Sequence, residues 1–160
     1  VRGLVAGGVD AVCIETMSDL AETCLALRAA KETADVAVIT TMTFDKGPRG
    51  YFTMMGTTPE LAAEQLTVAG ADIVGSNCGL PIESLVEIVA RMRSATEKPI
   101  LTHVNAGIPK ILGGEIVYPD TPKHMAAQMP AMVEAGANIV GGCCGTSPEH
   151  IRAFAEALKG

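Results

Sequence analysis

Three stretches of the chain share one pattern: AGGVDAVCIET from Ala6, AGADIVGSNCG from Ala69 and AGANIVGGCCG from Ala135. In each, an Ala-Gly pair of the kind that ends helices precedes a short apolar run that reads as a strand. The pairs recur after 63 and then 66 residues, and two more apolar runs, VAVITTMTF (36–44) and PILTHVNAG (99–107), fall between them. The repeating unit is therefore two strand-helix pairs long. Such a period severely limits the choice of fold.

Helices are expected at 19–34, 59–69, 82–95, 122–135 and 148–158. Thr58-Pro59, Thr121-Pro122 and Ser147-Pro148 each pair an N-cap residue with proline at the first helical position. Strands rich in Val and Ile, with little polar alternation and helices between them, indicate a parallel sheet covered by helices. The class is α/β. A doubly wound, flavodoxin-like sheet suits the 160 residues, whereas a closed (β/α)8 barrel takes about 250. The two-unit repeat points the other way, because alternate strands of a barrel fill common layers. The expectation is a TIM-type barrel of which this chain forms the C-terminal five strand-helix units, one domain over 1–160 that is incomplete at its N-terminus. On its own such a piece would expose two sheet edges and associate or dissolve poorly. The alternative is a non-catalytic flavodoxin-like binding domain whose cysteines pack or respond to redox conditions.

Composition excludes some partners. The net charge is −6, aromatics are 3% and Trp is absent, so no basic, aromatic-studded surface for nucleic acid is expected. No apolar run reaches the ~18 residues of a membrane span. Five cysteines, at 13, 24, 78, 143 and 144, are an odd and sparse set for a secreted scaffold; a reduced, cytoplasmic protein is expected.

Asp10 leads to Glu15 after five residues, Asp72 to Cys78 after six, and Asn138 to Cys143 and Cys144 after five and six. All four fall at the carboxyl ends of alternate strands, where barrels carry their sites. Gly141-Gly142 ends the last strand, so the backbone can turn and present both adjacent thiols to one point. With Cys78 they make three sulfur ligands, which suit Zn2+ with an open fourth position. No Cys-x-x-Cys pair of a structural zinc knot is present.

The segments GSNC (75–78) and GGCC (141–144), with IETMSD (14–19), NAGIP (105–109) and GTSPEHI (145–151), resemble the homocysteine S-methyltransferase family, which includes the homocysteine barrel of cobalamin-dependent methionine synthase and betaine-homocysteine methyltransferase. The resemblance covers essentially the whole chain. It implies that Cys78, Cys143 and Cys144 bind zinc, that homocysteine sulfur takes the open position, and that transfer of a methyl group gives methionine. It further implies that Glu15 holds the substrate amino group and that Asn105 lies near the metal. The donor is left open among methylcobalamin, a corrinoid protein, betaine and S-methylmethionine, and the resemblance makes methylcobalamin the preferred one. Since no Asp-x-His-x-x-Gly signature occurs, the corrinoid or folate module would be another domain or protein.

Other readings stay open beside these. Glu15 could cap the following helix, and Asn105 could be a turn residue before Gly107. His103 could close the metal site, or serve as a core histidine. Cys13 and Cys24 are expected to pack, and His124 and His150 to lie on solvated helices. The glycine-rich strand ends carry only a weak phosphate-binding signal. DKGPRGYFTMMGTTP (45–59) is expected to be the longest loop, either a lid at the mouth or a plain connection.

Overall fold

The structure, a computed structural model, describes residues 1–159. The elements follow in the order α1 (Arg2–Ala6), β1 (Ala11–Met17), α2 (Leu20–Thr33), β2 (Ala37–Met42), β3 (Asp45–Gly47), β4 (Gly50–Phe52), α3 (Pro59–Val68) and β5 (Ile73–Asn77). Then come α4 (Ile82–Arg93), β6 (Ile100–Val104), β7 (Lys110–Leu112), β8 (Glu115–Val117), α5 (Pro122–Ala126), α6 (Met129–Glu134), β9 (Ile139–Gly142) and α7 (Pro148–Ala157). Five strands form one sheet in the order β1-β2-β5-β6-β9, every pair parallel. That order follows the chain without reversal. A doubly wound sheet reverses at a switch point, so the flavodoxin-like alternative is wrong.

The two faces of the sheet differ. Val12, Val38, Thr40, Met42, Val74, Ser76, Ile100, Thr102 and Val104 occupy one face and are buried under the helices. Leu27, Leu66, Leu85, Ile88, Met129, Met132 and Phe154 complete that core from the helix side. On the other face Cys13, Ile39, Ile73 and Ile139 are exposed or half-buried. This asymmetry is that of a barrel arc, with helices outside and a layered interior within.

The repeated motif has a structural cause. Gly70 and Gly136 take φ of 96° and 110° just after α3 and α6, where a side chain would be strained. The next N–H groups, of Ala71 and Ala137, reach back to the carbonyls of Leu66 and Met132 at 3.0 and 3.2 Å, closing each helix. Asp72 then accepts from the Val38 N–H at 2.7 Å, and Asn138 from the Ile100 N–H at 2.9 Å. The second and third repeats thus each fasten their own strand to the start of its neighbour in the sheet, β5 to β2 and β9 to β6.

Three expectations need correction. The helix expected over 122–135 is two helices, α5 and α6, because Pro130 sits in the first turn of α6 and has no N–H to bond back into α5. The segment 45–59 is not one loop but carries the antiparallel hairpin β3–β4. Tyr51 of β4 is buried and donates its hydroxyl to Glu87 of α4 at 2.7 Å, tying the hairpin down. His150 is buried rather than solvated: its Nδ1 accepts from the Ser147 N–H at 3.1 Å, which leaves Nε2 to donate to the Asp120 carbonyl at 3.0 Å. No helix among the described residues is long and apolar enough to cross a membrane.

Candidate metal centre

Cys78 follows the end of β5, and Cys143 and Cys144 follow β9. Their thiols converge. Sγ of Cys78 lies 3.8 Å from Sγ of Cys144, Sγ of Cys143 lies 4.0 Å from Sγ of Cys144, and all three atoms fall within 4.8 Å of one another. Sulfurs at corners of a tetrahedron with Zn–S bonds of ~2.3 Å are ~3.8 Å apart. The donor set therefore fits a zinc ion, with all three cysteines free of disulfides.

Backbone hydrogen bonds hold the strand ends at this spacing. The Cys78 N–H donates to the His103 carbonyl at 3.1 Å, the Cys143 N–H to Val104 at 2.7 Å, and the Ala106 N–H to the Cys144 carbonyl at 2.9 Å. Cys78 itself has φ of 64°, a conformation unusual for a residue with a side chain. Gly79 follows at φ of 74°, and Leu80 bonds back to the Cys78 carbonyl at 2.9 Å, a tight γ-turn. After Gly142, Thr146 caps the turn by donating its hydroxyl to the Cys143 carbonyl at 2.7 Å. A Cβ on Gly142 would stand 2.1 Å from that hydroxyl oxygen, so the second glycine of GGCC makes room for the turn.

Cys78 and Cys143 do not ionise alike in the metal-free chain. Burial pushes Cys78 up, but the Gly79 N–H, together with Cys144, Asn105 and Cys143, outweighs it and leaves the pKa lowered. Burial is the main cause that carries Cys143 the other way, to about 11, and the charge on Cys78 adds to it. Neighbouring thiolates repel one another, and a dication between them would reverse that balance.

Glu15 lies in an irregularity of β1. Ile14 pairs with Thr40 and Met17 with Met42, so β1 carries one residue more than β2 over this span, a bulge. Thr16 within it has φ of 61°, which costs a β-branched residue roughly 1–2 kcal/mol. The half-exposed Glu15 carboxylate is 3.7 Å from Nδ1 of His103. Asn105 is buried, and its Oδ1 accepts from the Cys144 N–H at 3.1 Å. His103 is outside the group of metal-holding side chains among the described residues. Its ring lies against Gly141, where a Cβ would come within 2.6 Å of the imidazole. Cys13, expected to pack, is exposed, with its thiol 3.9 Å from Glu15; Cys24 is half-buried against the core.

Two neighbours of the site were not singled out from the sequence. Tyr118 packs its ring where a side chain on Gly145 would sit, 2.1 Å from an added Cβ. Burial, with the charge and hydrogen bonding of Cys144, raises its pKa. Nothing in the local sequence VYPDTP marks it. Asn77 is fully buried between β1, β2 and β9. Its place within GSNC was the available signal.

Solved structures share the architecture. The homocysteine methyltransferase MmuM from Escherichia coli in its apo form aligns at a TM-score of 0.77 with 20% identity, over 98% of this chain and 52% of that one. Its metallated form aligns at 0.78 and 20%, over 97% and 47%. The chain spans about half the length of these relatives. At that identity the likeness establishes the fold, a parallel α/β architecture. A model of the homocysteine S-methyltransferase family matches residues 1–158, and the chain belongs to that family.

Proposed function

We infer that this chain carries the thiol-activating site of a zinc-dependent homocysteine S-methyltransferase of the methionine synthase type, in which Cys78, Cys143 and Cys144 hold the metal. The triangle of sulfurs, 3.8 and 4.0 Å along two of its edges, carries this reading. Bound zinc would favour the thiolate of homocysteine at neutral pH, where a free thiol with a pKa near 8.5 is mostly protonated.

The other roles belong to the chain's own side chains. Glu15, with half its side chain exposed, offers a carboxylate to the substrate ammonium. Asn105 braces Cys144 through its main-chain N–H and keeps that ligand's loop in place. In the reaction a new S–CH3 bond forms, the bond from methyl to donor breaks with its electron pair remaining on the donor, and methionine results. We assign methylcobalamin as the donor, carried by another domain or protein. We also read residues 1–160 as part of one barrel domain whose remaining strand-helix units complete the substrate pocket. The metallated form of the MmuM relative is consistent with a metal in this family.

Zinc per chain after dialysis, with X-ray absorption at the zinc edge, tests the proposal. One zinc with three sulfur neighbours, rising to four on addition of homocysteine and lost in Cys143→Ser, is expected. No zinc retained by a folded sample would overturn it.

A further inference from the structure

Asn77 uses its whole side chain. Its Oδ1 accepts from the Thr16 N–H at 2.8 Å and from the Thr41 hydroxyl at 2.7 Å. Its Nδ2 donates to the Thr16 hydroxyl at 2.8 Å and approaches Sγ of Cys143 at 3.8 Å. Its backbone carbonyl accepts from the Thr43 hydroxyl at 2.9 Å. The residue has no exposed surface. A buried amide that makes all of its bonds defines one arrangement of the elements around it.

The partners are the informative part. Both bonds to Thr16 fall on the bulged residue of β1 that is held at φ of 61°. A β-branched residue keeps that conformation only where its surroundings over-determine it. Thr16 directly follows Glu15, so the same two bonds fix where the Glu15 carboxylate leaves the strand. The same amide nitrogen that donates to the Thr16 hydroxyl also faces Cys143, on the far side of β6 from β5.

We propose that Asn77 is a positioning residue that couples the substrate-orienting end of β1 to the metal-holding loop after β9, because one buried amide bonds both the strained Thr16 and the thiol of Cys143. This rests on the functional reading given above for Glu15 and Cys143. Thr41 braces the amide from β2, so the tether spans the sheet from β1 to β9.

Asn77→Ala and Asn77→Asp separate the two arms. Aspartate keeps the acceptor for the Thr16 N–H and the Thr41 hydroxyl, which is what Thr16 exchange reads. It replaces the donor shared by the Thr16 hydroxyl and the Cys143 thiol with a carboxylate oxygen, to which the Thr16 hydroxyl can turn and donate while the thiol loses its donor. Amide hydrogen exchange at Thr16, measured by NMR on the metal-free chain, reads the β1 arm without metal or substrate. Competition with a chelator reads zinc affinity, and calorimetric titration of the zinc-loaded chain reads homocysteine affinity. In Asn77→Ala the Thr16 amide should lose protection, and zinc and homocysteine affinities should each fall about tenfold, the usual scale for partners behind a metal ligand. In Asn77→Asp, Thr16 should stay protected while zinc affinity falls. The loss of homocysteine affinity caused by Asn77→Ala should largely vanish in a Glu15→Gln background, since coupled groups are non-additive.

Unchanged Thr16 exchange in a folded Asn77→Ala chain, or full additivity with Glu15→Gln, would overturn the coupling while leaving the zinc reading intact. If Asn77→Ala does not fold, Asn77→Asp decides: unaltered zinc affinity overturns the proposal. Failure of the unsubstituted chain to bind zinc removes the functional reading itself, and the coupling with it; the Thr16 exchange result then shows only a local tether.

Discussion

The sulfur atoms of Cys78 and Cys144 stand 3.8 Å apart although 66 residues separate them in the chain. The sheet order explains the meeting: β5 and β9 are both partners of β6, and β5 ends one residue before Cys78 while β9 ends two before Cys144. Metal on this trio should shield its thiols from a disulfide reagent. With zinc bound the trio should react slowly, and Cys13, although exposed, should add little at neutral pH because burial and the neighbouring Glu15 push its thiol up to about 11. A chelator should then open the trio to the reagent, with Cys78, whose pKa is lowered, reacting well before Cys143, which burial pushes up to about 11. An unchanged thiol count would show that no metal protects the trio.

The glycine of GSNC is under a steric demand rather than a chemical one. A Cβ on Gly75 would stand 1.9 Å from the Leu101 carbonyl oxygen on β6, and backbone cannot yield as a flexible side chain does. Gly75→Ala should destabilise the fold by about 1–3 kcal/mol, the range of overpacked cores. By contrast Gly3 and Gly113 meet nothing within 4 Å, and Gly3→Ala, at ordinary helical φ, should be neutral or slightly stabilising. Thermal melting of the three proteins checks the ranking; a Gly75→Ala chain as stable as the parent would contradict the close approach of β5 and β6.

Much of this was legible in the sequence because repetition and glycine placement are local signals. The Ala-Gly stops and the proline helix starts act within a few residues of themselves, so five strands and the parallel class could be read directly. What could not be read depends on distant partners. Tyr118 reaches the site only because Gly145 leaves its ring a place, and Asn77 acquires its meaning from Thr16, 61 residues away. The hairpin β3–β4 was missed because three-residue strands give no alternation to detect. Pro130 is itself a local signal, since a proline at that place divides a helix.

Asp72 gives the fold a measurable pH dependence. The Lys31 ammonium, which bonds the carboxylate, holds its pKa below the ordinary value; burial opposes this and the Val38 N–H adds to it. Because the folded-state pKa is depressed, the contribution is fully present above the unfolded value of ~3.9 and is lost as pH falls through the folded one. Both side chains are more than a third exposed, so the pair contributes under ~1 kcal/mol. Asp72→Asn should therefore be slightly less stable than the parent at pH 7, with the difference shrinking toward pH 3. Denaturant titrations at both values check this, and a difference that widens on acidification would reverse the sign assigned to Asp72.

Glu15 allows substrate recognition to be separated from metal binding. Its carboxylate contacts His103 and Cys13, and neither residue belongs to the sulfur triangle. Glu15→Gln should consequently leave zinc stoichiometry at one per chain. On the role proposed for Glu15, the same change removes a charge-assisted bond to the homocysteine ammonium, worth roughly 1.5–3 kcal/mol, so affinity should fall about tenfold to a hundredfold. A thiol acid of the same length without the amino group supplies the control. It should bind the parent more weakly than homocysteine does, and should bind Glu15→Gln no worse than the parent, since it has no ammonium to lose. Equal losses for both thiols would mean that Glu15 shapes the site rather than recognising the amino group.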